Sequence, residues 1–191
     1  MDASQRELYA RIVAFRFDEG KPELTFAARL ARENGWPQDY AHRVIGEYRR
    51  FMFLAVTAGH PVTPSDQVDQ VWHLHLIYSR SYWERFCPEV LQTSLHHGPT
   101  QGGDAEGKKY DDWYGRTLAS YRQFFDEEPP QEIWPAAEIR FGDDLHWERA
   151  NTRHNWIVSK WQFKQFALQG LCVLAIVAWT VGVIVALLRS G

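Results

Sequence analysis

Disulfide chemistry, nucleic-acid binding and disorder are what this sequence first argues against. It has only two cysteines, Cys87 and Cys172. Cys172 lies inside an apolar C-terminal run, so the two are not expected to pair and no disulfide framework exists. The formal net charge is only −3, and the first 140 residues lack a basic face interleaved with aromatics. No nucleic-acid partner is expected on that pattern. The N-terminus, MDASQRELYARIVAF, is charged throughout and lacks the uninterrupted apolar region of a signal peptide. Internal repeats, low-complexity blocks and a convincing strand pair are also missing. So is any GxSxG elbow. The stretch Gly102 to Lys109, GGDAEGKK, imitates a phosphate-binding loop. It lacks the final Ser/Thr, follows no apolar strand, and puts carboxylates where phosphates would sit.

What is present is apolar and aromatic. Hydrophobic residues make up 45% and aromatics 15%, with nine Trp, enough to fill a core and to exclude disorder. Apolar positions recur at helical spacing along the chain. Leu8, Ile12 and Phe15 mark a first helix over Ser4 to Phe17, closed by the turn Asp18-Glu19-Gly20. A second covers about Thr25 to Glu33 and stops at Asn34-Gly35. A third, Gln38 to Ala58, carries Tyr40, Val44, Ile45, Tyr48, Phe51 and Leu54, with Pro37 suited to its first turn. Thr63 reads as the N-cap of a fourth helix that continues to Phe86 and ends before Pro88. A fifth spans about Glu106 to Asp126, and the strap EEPPQEIWP follows.

From Gln165 to Leu188 the chain is uncharged and apolar, between Lys164 and Arg189. That length matches the ~20 residues a helix needs to cross hydrocarbon. Trp156, Trp161, Phe163 and Phe166 alternate with Lys160 and Lys164 just before it, as at a membrane interface. Four Lys/Arg and no acid lie between Arg149 and Lys164. Positive charge on that side predicts a single-pass, tail-anchored protein whose N-terminal domain faces the cytoplasm. Ala178, Gly182 and Ala186 recur every fourth position and suit a possible homodimer. The fold class expected is therefore all-α: a bundle of about five helices over residues 1–145, then a single C-terminal transmembrane helix. The remaining divisions are a basic, aromatic juxtamembrane segment (146–164), the transmembrane helix (165–188) and a short tail (189–191).

Chemistry concentrates in the fourth helix. Four of the eight histidines, His73, His75, His96 and His97, fall close together beside Asp69 and Cys87. Asp69 and His73 are four apart, so their side chains meet on one flank of a helix. His73 and His75 are two apart and point nearly opposite ways. His75 sits in the core stripe with Val68, Val71, Trp72, Ser79, Tyr82 and Phe86, where a histidine hydrogen-bonded to a tyrosine or backbone carbonyl competes with a ligand role. Cys87 is too far along a continuous helix to join His73 and reads as a buried small residue. After Pro88 the chain can turn back, bringing His96 or His97 to Asp69 and His73. With water in a fourth position, Asp69, His73 and His97 make an open zinc-type site. A hydrogen-bonded polar cluster fixing the loop to the helix is the other reading of the same residues.

The run VDQVWHLHLIYSRSYWERFC, then HHGPTQGGDAE, TLASYRQFF and PPQEIWP, resembles bacterial relatives of the plant glycine-rich domain-containing proteins. The resemblance covers roughly Val62 to Phe141 and implies that Asp69, Trp72, His73, His75, Cys87 and His97 are the family's characteristic positions. It implies little about activity, and the glycine-rich tail of the plant members is absent from this chain. The function expected first is a membrane-associated helical module that binds or regulates a protein partner. The alternative is a zinc-dependent hydrolase in which His73 and His97 hold the ion, Asp69 ligates or orients, and Glu106 is the base. Structural zinc without turnover lies between them.

Overall fold

The computed structural model describes residues 1–20, 22–98, 104–142 and 154–189; within the helices, the side chains of 104–108, 174, 175, 178, 182, 183, 186 and 188 are outside the description. Two units divide the chain, Met1–Asp144 and Leu145–Gly191. All regular structure among the described residues is helical.

In the first unit, α1 (Ala3–Ala14) starts at a reciprocal cap. Asp2 accepts from the Gln5 backbone N–H at 2.8 Å, while the Gln5 side chain accepts from the Asp2 N–H at 2.9 Å. Thr25 caps α2 (Phe26–Asn34), which ends at Gly35 with φ of 67°, a conformation that glycine adopts without strain. Helix α3 (Gln38–Thr57) is the central element and packs against α1, α2, α4 (Asp66–Ile77) and α5 (Asp104–Phe125). It buries Val44, Tyr48, Phe51, Met52, Phe53 and Leu54. At roughly 1.5–3 kcal/mol per large side chain, this one helix supplies much of the driving force for collapse.

The strap after α5 is pinned to that centre. Trp134 is buried and donates its indole N–H to Glu47 Oε2 at 2.8 Å. Tyr40 donates to the Glu132 carbonyl at 2.9 Å and Tyr114 to the Pro135 carbonyl at 2.8 Å. Arg43 pairs with Glu132. A short α6 (Ala137–Arg140) closes the unit.

Three sequence expectations need correction here. The cap of α4 is Ser65, which accepts from the Val68 N–H at 3.2 Å, rather than Thr63. Thr63 instead donates its backbone N–H to Thr117 Oγ1 at 2.9 Å, tying the entry of α4 to α5. Second, the fourth helix is not continuous to Phe86. It ends at Ile77, Tyr78 leaves helical geometry (φ −77°, ψ 58°), and a π-helix runs over Arg80–Leu91 with Pro88 inside it. Pro88 gives this segment no backbone N–H, and π-type turns are frequent at functional sites.

The third correction concerns the membrane. Helix α7 (Lys160–Arg189) forms in the second unit, but no helix among the described residues is long and apolar enough to cross a membrane. The transmembrane helix over 165–188, the tail anchor and the single-pass location with a cytoplasmic domain are therefore not supported. Ala178, Gly182 and Ala186, the expected dimer face, lie outside the described side chains.

Candidate metal centre

Helix α4 carries two of the three candidate ligands. Ser65 fixes its first turn, and the Asp69 N–H bonds the Ser65 carbonyl at 2.9 Å. Asp69 therefore stands near the positive end of the helix, where a carboxylate is favoured. One turn on, the His73 Nε2 lies 3.7 Å from Asp69 Oδ2. The third comes from the loop after the π-helix, where His97 Nε2 is 2.7 Å from Asp69 Oδ1. One carboxylate thus faces an imidazole with each oxygen. The His73 and His97 rings stand 4.6 Å apart, and the three ligand atoms lie within 4.8 Å of one another.

Those spacings fit a metal. A tetrahedral zinc ion with bonds of about 2.1 Å separates its ligand atoms by roughly 3.4 Å. The 3.7 Å pair already matches closely and the 2.7 Å pair must open slightly. Asp69 and His97 side chains are 17% and 18% exposed, whereas His73 is 50% exposed, so the centre opens to solvent on the His73 side. In the hydrogen-bonded geometry the His97 Nε2–H donates to the carboxylate. An ion at that nitrogen must displace this hydrogen, the exchange expected when a polar cluster doubles as a metal site.

The loop bearing His97 is held by residues that periodicity alone did not single out for this role. The Trp72 indole donates to the Tyr82 phenol at 3.0 Å, and that phenol donates to the Leu95 carbonyl at 2.6 Å. Trp72 also packs edge-on against His97, with ring centres 4.5 Å apart. His96 turns the other way, is exposed, and lies against Trp83 at 5.1 Å. The choice between His96 and His97, which adjacent loop positions leave open, falls on His97.

His75 does not join the cluster. It is fully buried, with Tyr48 at 2.9 Å from Nδ1 and Ser81 Oγ at 3.3 Å from Nε2. Tyr48 is buried too and its phenol donates to Nδ1, which leaves the Nε2–H to donate to Ser81. Both nitrogens are thereby used, and Phe15, Phe17 and Phe86 crowd the ring. Burial, with Arg85 adding to it, lowers the His75 pKa to about 3, so it is neutral. Cys87 is buried, and its sulfur is not among the converging ligand atoms. Glu106 falls on the first turn of α5, but its side chain lies outside the described residues.

The break between α4 and the π-helix opens a cleft of about 430 Å³ lined by Phe17, Asp18, Glu19, Tyr78 and Arg80. Its acids are already engaged: Asp18 accepts from the Phe26 N–H and Glu19 pairs with Arg85.

A helical domain with an open Asp-His-His cluster is the class that fold and site define. The UCP032817-like family model matches residues 11–113, more than half of the 191-residue chain, and the protein belongs to that family. The matched region contains Asp69, His73 and His97. No curated protein and no solved structure matches the chain. The match makes no link to the plant glycine-rich domain-containing proteins, so that resemblance rests on the motifs alone.

Proposed function

We propose that this protein binds a divalent first-row metal, with zinc as the leading candidate, through Asp69, His73 and His97. The observation that carries the reading is the convergence of their ligand atoms within 4.8 Å across two separate chain segments. Two imidazoles and one carboxylate suit zinc and also ferrous iron, because both accept mixed nitrogen and oxygen donors. A bound ion supplies Lewis acidity and makes coordinated water more acidic. The residues themselves orient it, since Asp69 reaches both imidazoles and Trp72 braces His97.

Hydrolysis is the second reading, favoured by the half-exposed side of His73, where an ion retains water. The partner-binding module expected from the sequence is compatible with a metal centre that recruits a carboxylate or imidazole from another protein.

The test is metal content and affinity of the purified full chain. Zinc, iron and manganese are offered separately, and bound metal is quantified per chain. One equivalent is expected for the wild type, with His73→Ala and His97→Ala each reducing affinity by at least ~10-fold. Substoichiometric metal unaffected by either substitution leaves only a hydrogen-bonded cluster.

A further inference from the structure

The strength of this centre depends on where one loop residue is held, and the holding is done from inside the core. Tyr82 has no exposed surface and sits on the first turn of the π-helix. Its phenol links two groups beside the site: it accepts from Trp72 and donates to the Leu95 carbonyl, with Cys87 also in hydrogen-bond contact. Trp72 in turn supplies the wall against which His97 packs. One hydroxyl therefore fixes both the loop two residues before His97 and the indole beside its ring.

We propose that Tyr82 is the positioning residue of the metal centre, setting how tightly Asp69, His73 and His97 hold an ion without touching it. This rests on the metal reading above. Metal–ligand distances tolerate only about ±0.2 Å. Each residue of free chain reaches more than ~3 Å. With only His96 between Leu95 and His97, a carbonyl released from Tyr82 lets the imidazole wander far beyond that tolerance. Groups that orient a ligating histidine typically govern affinity by 10- to 100-fold, in the range expected here. Sequence spacing hides the relation, because the shift from α4 to the π-helix brings Tyr82 to Trp72 in a way a continuous α-helix does not specify.

The experiment compares Tyr82→Phe with Tyr114→Phe in the full chain. Tyr114 is an equally buried tyrosine whose phenol also donates to a backbone carbonyl, that of Pro135, so it matches the chemistry lost. Zinc alone is titrated against a competing chelator, and the imidazole nitrogen–proton spectrum is recorded without metal. Tyr82→Phe is expected to weaken zinc about 10-fold and to broaden the His97 signals; Tyr114→Phe leaves both as in the wild type. Equal zinc affinity and unchanged His97 signals in Tyr82→Phe overturn the proposal, whatever stability it loses. If the wild type takes up no zinc, the metal reading fails, and the metal-free spectrum alone decides whether Tyr82 holds His97. Should Tyr82→Phe not fold, Trp72→Phe removes the indole N–H yet keeps a ring beside His97, and carries the same expectation and the same refutation.

Discussion

At the scale of single residues, the two histidines of the WHLH run divide the work. His73 reaches solvent and Asp69, whereas His75 is sealed among aromatic rings with Tyr48 and Ser81. The sealed one gives a pH prediction. Folding lowers the His75 pKa from the usual 6.5 to about 3, so the unfolded chain takes the proton more readily. Stability is therefore complete above about pH 6.5 and is lost at ~1.4 kcal/mol per unit as pH falls toward 3. Urea melts at pH 7.5 and pH 5 are expected to differ by roughly 2 kcal/mol on this account. His75→Gln keeps an acceptor for Tyr48 and a donor for Ser81, and should remove that share of the difference. A wild type and variant with parallel pH profiles would show that His75 does not titrate in this way. The sequence was readable here as far as spacing allows: an i, i+4 pair announces Asp69 and His73. A tyrosine partner for a core His75 was readable, but not which one, nor the serine, because Tyr48 comes from a different helix and Ser81 from beyond a break.

At the scale of elements, the periodic helices emerge from sequence because apolar residues every three or four positions have no other economical burial. The break at Tyr78 does not. The apolar stripe through Val71, His75, Tyr82 and Phe86 is satisfied nearly as well by one long α-helix, and Pro88 invites the inference that the helix has already ended. Capping misled for a related reason: Thr63 and Ser65 are both acceptable N-caps, and tertiary packing against Thr117 decides between them. Ser65→Ala is expected to cost about 0.5–2 kcal/mol, since the cap is buried and its loss leaves the Val68 N–H without a partner. Hydrogen exchange should localise the loss to the first turn of α4, which carries Asp69. Uniform loosening across α4 and α5 would place the effect elsewhere. The C-terminal helix teaches the opposite lesson. Its long uncharged run reads as a span, yet among the described residues no helix meets the length and apolarity needed.

Taken whole, the N-terminal unit is a set of helices gathered on α3 and locked by the strap that follows α5. Trp134 is the lock. It is nearly inaccessible and supplies Glu47 with an indole hydrogen bond, while Arg50 holds the same glutamate at 3.9 Å and Glu127 at 2.7 Å. Trp134→Ala removes a large buried ring and leaves a buried carboxylate short of a donor, and is expected to cost about 3–5 kcal/mol. Trp134→Phe should cost less because only the N–H and part of the ring are lost. Denaturation midpoints rank the three, and equal midpoints for wild type and Trp134→Ala would mean the strap contributes nothing to closure. The all-helical architecture was legible from composition and period, and the approach of His97 to Asp69 from the turn that Pro88 suggests. The tethering of that loop was not, because it depends on a phenol and an indole meeting across the helix break.

Two hydrogen bonds within the protein, His97 to Asp69 and Tyr82 to the Leu95 carbonyl, hold this loop to the helices. Because these anchors sit only two positions apart, whatever frees one of them still meets the other, and the segment should come loose in stages.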